Sequence, residues 1–201
     1  MVINKIISSI IEIIALSIVP FIWWLVTARK KENFFKWLGF KKVKRNNFKI
    51  TILFIVLTTI AFGVISIITL SMIKNVETAT SEFAGMGISA LPSALVYAVL
   101  NTSLPEEIFF RGFLLKRLSN KFGFITGNII QSVIFGLMHG LMFFSLVGII
   151  KAAIIFAITG LIAFSIGYVN EKKAEGSIIP GWTIHALGNT MASVISMFSL
   201  I

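Results

Sequence analysis

Two adjacent carboxylates and one cation stand together in the stretch Glu106-Glu107-Ile108-Phe109-Phe110-Arg111-Gly112, and the chain's two histidines, His139 and His185, follow at a distance. His139 comes four residues after Phe135, and His185 four residues before Asn189. Carboxylate and imidazole are the side chains that hold and move protons near neutral pH, so this set has the ingredients to activate water, relay protons or ligate a metal. On a helix, residues four apart share a face, which pairs Glu107 with Arg111, Phe135 with His139, and His185 with Asn189. Glu106 points about 100° away from Glu107 and is left for another partner. One carboxylate held by an arginine beside another without a cation separates two roles: Glu107 orients, and Glu106 is free to titrate or to bind water. Without further information the same residues read more plainly, Glu107 with Arg111 as a helix clamp and His185 with Asn189 as a bridge between helices.

The elements that must position these groups are apolar helices. Of 201 residues, 57% are hydrophobic and 13% charged, and the mean hydropathy is +0.95, which excludes an ordinary soluble domain. Long uninterrupted apolar runs, rather than strands alternating apolar and polar, exclude a lipid-spanning barrel. The expected fold is all-α, a polytopic transmembrane helix bundle of about six spans. They run over Ile6–Val26, Ile50–Ile73, Pro92–Leu118 with a kink at Pro105, Phe124–Phe144, Leu146–Val169, and Ile178 to the end. Residues 1–91 then form a two-helix framework and 92–201 the core that carries the chemistry, within one membrane domain.

The charge distribution sets the expected topology. Nine basic residues against the single acid Glu32 lie between Arg29 and Lys49, placing +8 of the net +10 in one loop. With the turn at Lys116, Arg117 and Lys121 and the loop at Lys172 and Lys173, they mark one side as cytoplasmic and leave both termini outside. That location assigns the positive charge to anionic lipid headgroups along residues 29–49, not to nucleic acid, and Phe34–Phe40 reads as an interfacial segment. The absence of cysteine excludes disulfides, thiolate ligands and a thiol nucleophile. Counting helical rise from the Lys121 turn puts Glu106 and His139 at roughly 22 and 26 Å, close enough to meet, and counting from the cytoplasmic end of the last helix puts His185 and Asn189 at roughly 10 and 17 Å. Glu12 is a minor site candidate, and Lys151 snorkels toward the outer interface.

In this order and spacing, Glu106-Glu107-x-x-x-Arg111, Phe135-x-x-x-His139 and His185-x-x-x-Asn189 resemble the CPBP family of intramembrane proteases, also called Abi or CAAX-protease-like, which includes the type II CAAX prenyl endopeptidases. The similarity covers about residues 92–195. It implies hydrolysis of a peptide bond in a membrane-associated substrate, with Glu106 and His139 activating water, His185 and Asn189 facing the oxyanion, and Glu107, held by Arg111, orienting the site. Phe135 is the other structural member. The resemblance implies no obligatory cofactor. Zinc is the alternative, with Glu106, His139 and His185 as ligands, although the HExxH spacing is missing. Prenylated proteins, peptide pheromones and bacteriocins are the implied substrates. The Lys- and Ile-rich composition suggests an AT-rich bacterial genome and favours the latter two. A non-catalytic scaffold or bacteriocin-immunity protein of the same fold is the competing reading. A proton-coupled transporter is disfavoured by the lack of an inverted repeat.

Overall fold

The computed structural model describes residues 1–73 and 76–200, so Lys74, Asn75 and Ile201 lie outside the described residues. Among the described residues there are helices and no strands. Helix α1 (Val2–Thr27) leads through a short α2 (Phe34–Leu38) to α3 (Phe48–Met72). A continuous rod follows, made of α4 (Leu91–Val96), a π-helical stretch Tyr97–Ser103, α5 (Leu104–Glu106), a second π-helical stretch Glu107–Leu115, and α6 (Lys116–Phe122). Then come α7 (Phe124–Tyr168), a π-helical end Val169–Lys173, and α8 (Ile179–Met197).

Among the described residues four helical segments are long and apolar enough to cross a bilayer: Val2–Thr27, Arg45–Met72, Gly87–Phe122 and Phe124–Lys173. The last is twice the length of a span because it is folded in two. Gly148 adopts φ 76° and ψ 171°, a backbone state that L side chains resist, and the chain reverses there. The two arms return antiparallel and very close. A Cβ on Gly136 would lie 2.5 Å from the Phe156 carbonyl oxygen, and one on Gly140 would lie 2.9 Å from Phe156 Cβ. Asn128 Nδ2 donates to Phe164 O at 2.9 Å and Gln131 Nε2 to Ala163 O at 3.2 Å, clamping the arms with side-chain amides where no water competes. The fourth and fifth expected helices are therefore real, with their boundary at Gly148. Helix α8, where the sixth span is expected, carries His185, Asn189 and several hydroxyls and is not among the segments apolar enough to qualify.

Pro105 does not act simply as a kink. It lacks an N–H and its ring crowds the carbonyl four residues back, and the helix widens to π geometry on both sides of it. Ser103 Oγ donates to Ala98 O at 2.6 Å, occupying a carbonyl five residues earlier.

The ends of the bundle separate by charge. At one end Lys5 pairs with Glu82, Ser196 Oγ donates to Thr80 O at 2.8 Å, and Lys151 Nζ caps α3 at Met72 O at 2.7 Å. At the other end Lys116 Nζ reaches Glu171 Oε1 and Gly176 O, both at 2.8 Å, Lys44 pairs with Glu175 at 2.6 Å, and Ser177 Oγ donates to Lys41 O at 2.6 Å. The basic loop, the 116–123 turn and the 169–178 loop thus share one end. Helix α2 departs from a free interfacial segment: Asn33 caps it by accepting from Phe35 N–H, and Trp37 and Leu38 are buried against Ile108 and Phe113, while Phe35 stays exposed. Helix α1 packs on Tyr97–Ser103 and α3 on α8, so the first 91 residues embrace the remainder directly.

Because Gly136 faces backbone that has no room to move, Gly136→Ala is expected to destabilise the protein by about 1–3 kcal/mol. Thermal unfolding of the detergent-solubilised protein measures it.

Candidate active site

Glu107 and Arg111 are both wholly buried, with Arg111 Nη1 2.9 Å from Glu107 Oε1. Their i,i+4 pairing is as the sequence predicts. Two further groups converge on the same carboxylate. His185 Nδ1 lies 3.3 Å from Glu107 Oε1, and Asn170 Nδ2 lies 3.5 Å from Glu107 Oε2. A carboxylate only accepts, so the facing His185 nitrogen is the protonated one. Asn170 turns its oxygen the other way, accepting the Gly181 N–H at 2.7 Å. It thereby satisfies a donor in the first turn of α8 and joins that helix start to Glu107. Only glycine fits at 181: a Cβ there would meet Asn170 Nδ2 at 2.4 Å and Glu107 Oε2 at 2.7 Å.

Glu106 approaches the other side of the same imidazole, with Oε2 3.7 Å from His185 Nε2. This oxygen is buried and makes no hydrogen bond among the described residues. His185 therefore sits between the two carboxylates, one facing each ring nitrogen. No hydrogen bond or ion pair joins Glu106 to His139 among the described residues. His139 instead bonds Phe135 O through Nδ1 at 3.0 Å. A carbonyl also only accepts, so His139 carries a proton on Nδ1, and in the neutral imidazole the lone pair is on Nε2.

Phe135 ties these groups together. Its ring lies 4.5 Å from that of His139 and 6.2 Å from that of His185, centroid to centroid, and the Arg111 guanidinium carbon stands 4.7 Å from the Phe135 centroid. Arg111, His139, His185 and Asn189 line a common cavity of about 170 Å³. Asn189 differs from expectation in its orientation. Its Nδ2 donates to Thr102 Oγ1 at 2.7 Å and to Ser103 Oγ at 3.3 Å, so its N–H groups are committed within the protein and its oxygen is the free end.

Among the described residues no group of three His or Glu side chains is placed to hold an ion, so Glu106, His139 and His185 are not arranged as the ligands of a zinc site. Glu12 stays outside the cluster, exposed on α1. Asn170, Thr102, Ser103 and Gly181 escape a sequence reading. Asn170 has no partner at helical spacing and borders a charged loop, while the two hydroxyls resemble ordinary helix residues.

A family model described as Type II CAAX prenyl endopeptidase Rce1-like matches residues 88–191, just over half of the chain. The chain belongs to the Rce1-like family. No curated protein and no solved structure matches it. The match makes this an integral membrane protein of a protease family, and it spans Glu106 to Asn189. This Rce1-like protein also uses a residue outside the matched region: Phe62 of α3 walls the cavity, its ring 6.1 Å from that of His185.

Arg111→Met leaves Glu107 buried and unpaired and is expected to cost about 3–5 kcal/mol of stability, most of it recovered by adding Glu107→Gln. Unfolding midpoints of the single and double variants in detergent test this. Asn170→Ala, which strands the Gly181 N–H, is expected to lose about 1–3 kcal/mol in the same assay.

Proposed function

We propose that this protein is an intramembrane endopeptidase that cleaves a membrane-associated peptide or protein with water activated by Glu106 and His139. The observation that carries this reading is the buried Glu106 Oε2, which faces His185 Nε2 at 3.7 Å yet makes no hydrogen bond among the described residues, a proton acceptor left open in an apolar bundle. The His139 Nε2 lone pair is the second acceptor at the site. Water loses a proton to this pair as its oxygen bonds to the scissile carbonyl carbon. The C–N bond then breaks, and the departing amine takes that proton. Glu107, clamped by Arg111 and Asn170, holds His185 with its ring edge toward the reacting groups, where Nε2 donates to the oxyanion when both ring nitrogens carry protons. Asn189 supports this wall through Thr102 and Ser103. The apolar enclosure excludes bulk water from the site.

Pheromone- or bacteriocin-type peptides in a bacterial membrane fit this reading, as does a prenylated protein. The basic end of the bundle faces the cytoplasm and rests on anionic headgroups through residues 29–49. No step requires a metal ion.

The decisive experiment offers purified protein a panel of lipidated and plain apolar peptides. Products from the wild type should fall by about 10²–10⁴-fold in Glu106→Ala and in His139→Ala, and a chelator should not change them. Cleavage unaltered in both variants would sink the proposal and leave a non-catalytic scaffold as the better reading.

A further inference from the structure

Helix α1 carries one residue that lipid does not suit. The Ile, Leu and Val side chains exposed on it match a hydrocarbon surrounding, but Glu12 is exposed among them. The midpoint of Val2–Thr27 falls between Ile14 and Ala15, so Glu12 lies within about 4 Å of it along the axis, too deep for its side chain to reach a headgroup layer. Of the chain's eight glutamates, six face a cation or an imidazole: Glu32, Glu82, Glu106, Glu107, Glu171 and Glu175. Glu77 lies beyond the end of α3. Glu12, inside a span, has no such partner among the described residues. The nearest cation along α1, Lys5, is about two turns away and is already paired with Glu82. A carboxyl at this depth is costly unless something else meets it.

The surface around Glu12 has the shape of a helix contact. Ser8, Glu12, Ala15 and Val19 follow at intervals of four, three and four residues and so form one stripe along α1. None of the four is buried, while the buried residues of the helix, Ser9 and Pro20, lie on the neighbouring face. Ser8 and Ala15, about one turn to either side of Glu12, are small enough to let another backbone come close. Toward the basic end the stripe runs into a shallow hollow of about 320 Å³ walled by Val19, Ile22, Trp23 and Val26.

We infer that this stripe is the contact between two copies of the chain, with the two Glu12 carboxyls meeting across a two-fold axis normal to the membrane. A second copy inserts in the same orientation, so such an axis sets each Glu12 at the depth of the other, and an isologous contact opposes residues near the axis to themselves. The group suits that position. A carboxylic acid carries one O–H donor and one C=O acceptor, so two of them close a pair of reciprocal hydrogen bonds. Lipid offers neither a donor nor an acceptor in exchange, and polar bonds of this kind hold helices together in a bilayer. The hollows beside Val19 and Val26 of the two copies then cover each other. Glu12 lies outside the His185 cluster, so this contact stands or falls independently of the endopeptidase reading.

The chain contains no cysteine, so single cysteines report on the contact in protein reconstituted into phosphatidylcholine vesicles. Energy transfer between donor- and acceptor-labelled Lys30→Cys protein should rise with the protein-to-lipid ratio and fall when unlabelled protein is added. Glu12→Leu should weaken the association about tenfold, and Glu12→Gln, whose amide is also both donor and acceptor, should keep it. Under mild oxidation Ala15→Cys should give a disulfide-linked dimer, and Val64→Cys, exposed on α3, should not. Transfer no greater than random proximity gives, association unchanged by Glu12→Leu, or equal cross-linking at both cysteines overturns the inference. So does binding of an apolar helical peptide with one mid-span lysine by protein that does not associate with itself, which makes a basic helix the partner.

Discussion

Glu107 and Arg111 occupy a place that neither could hold alone. A lone charge buried among apolar helices is expensive, and a fully buried pair is costly as well unless its geometry is tight. The surroundings meet the remaining valences of the carboxylate and set the guanidinium, whose Nε and Nη2 have no hydrogen-bond partner among the described residues, against an aromatic face. Gly181 gives up its side chain so that α8 can pass close, Asn170 and His185 supply donors to the carboxylate, and the Phe135 ring supports the guanidinium. The same arrangement orients His185 between two carboxylates, so the clamp and the chemistry share one set of contacts. The plain reading of the Glu-Arg pair as a helix clamp and the functional reading of it as an orienting device describe the same interaction.

Around this polar knot the bundle is built from surfaces that need no specificity. Much of α1 and α3 exposes Ile, Leu and Val, as suits contact with lipid, and the interior places polar side chains wherever helices meet closely. Between the arms of α7, glycines admit the close approach and the amides of Asn128 and Gln131 take up backbone carbonyls across it. With lipid as apolar as leucine, such packing and hydrogen bonds carry helix association.

The helical class, the long apolar helices and the grouping of basic loops at one end were legible in the sequence because apolar run length and charge placement follow directly from the bilayer. The pairs Glu107 with Arg111 and Phe135 with His139 were legible because helical spacing determines them. Glu106 was not: spacing measures direction along one helix, and the approach of Glu106 to His185 depends on how α8 is set against the rod. Asn189 was found but its hydrogen bonds were not, since Thr102 and Ser103 lie in a π-helical stretch that no residue pattern announces. Asn170 illustrates the same limit, because its significance comes from Gly181, whose backbone N–H carries no mark in the sequence.

The attachment of the basic loop to the start of α8 has a mechanical consequence. Gly39, in a left-handed conformation at φ 102°, accepts the Ile178 N–H at 3.0 Å and packs so tightly on Gly176 that a Cβ would lie 2.4 Å from its carbonyl oxygen. Ile178 immediately precedes α8, and His185 lies about 10 Å further along that helix. The basic loop and the helix that bears His185 are therefore joined at one point of backbone, and His185 keeps its place between the carboxylates only as long as the start of α8 keeps its place on residues 39–41.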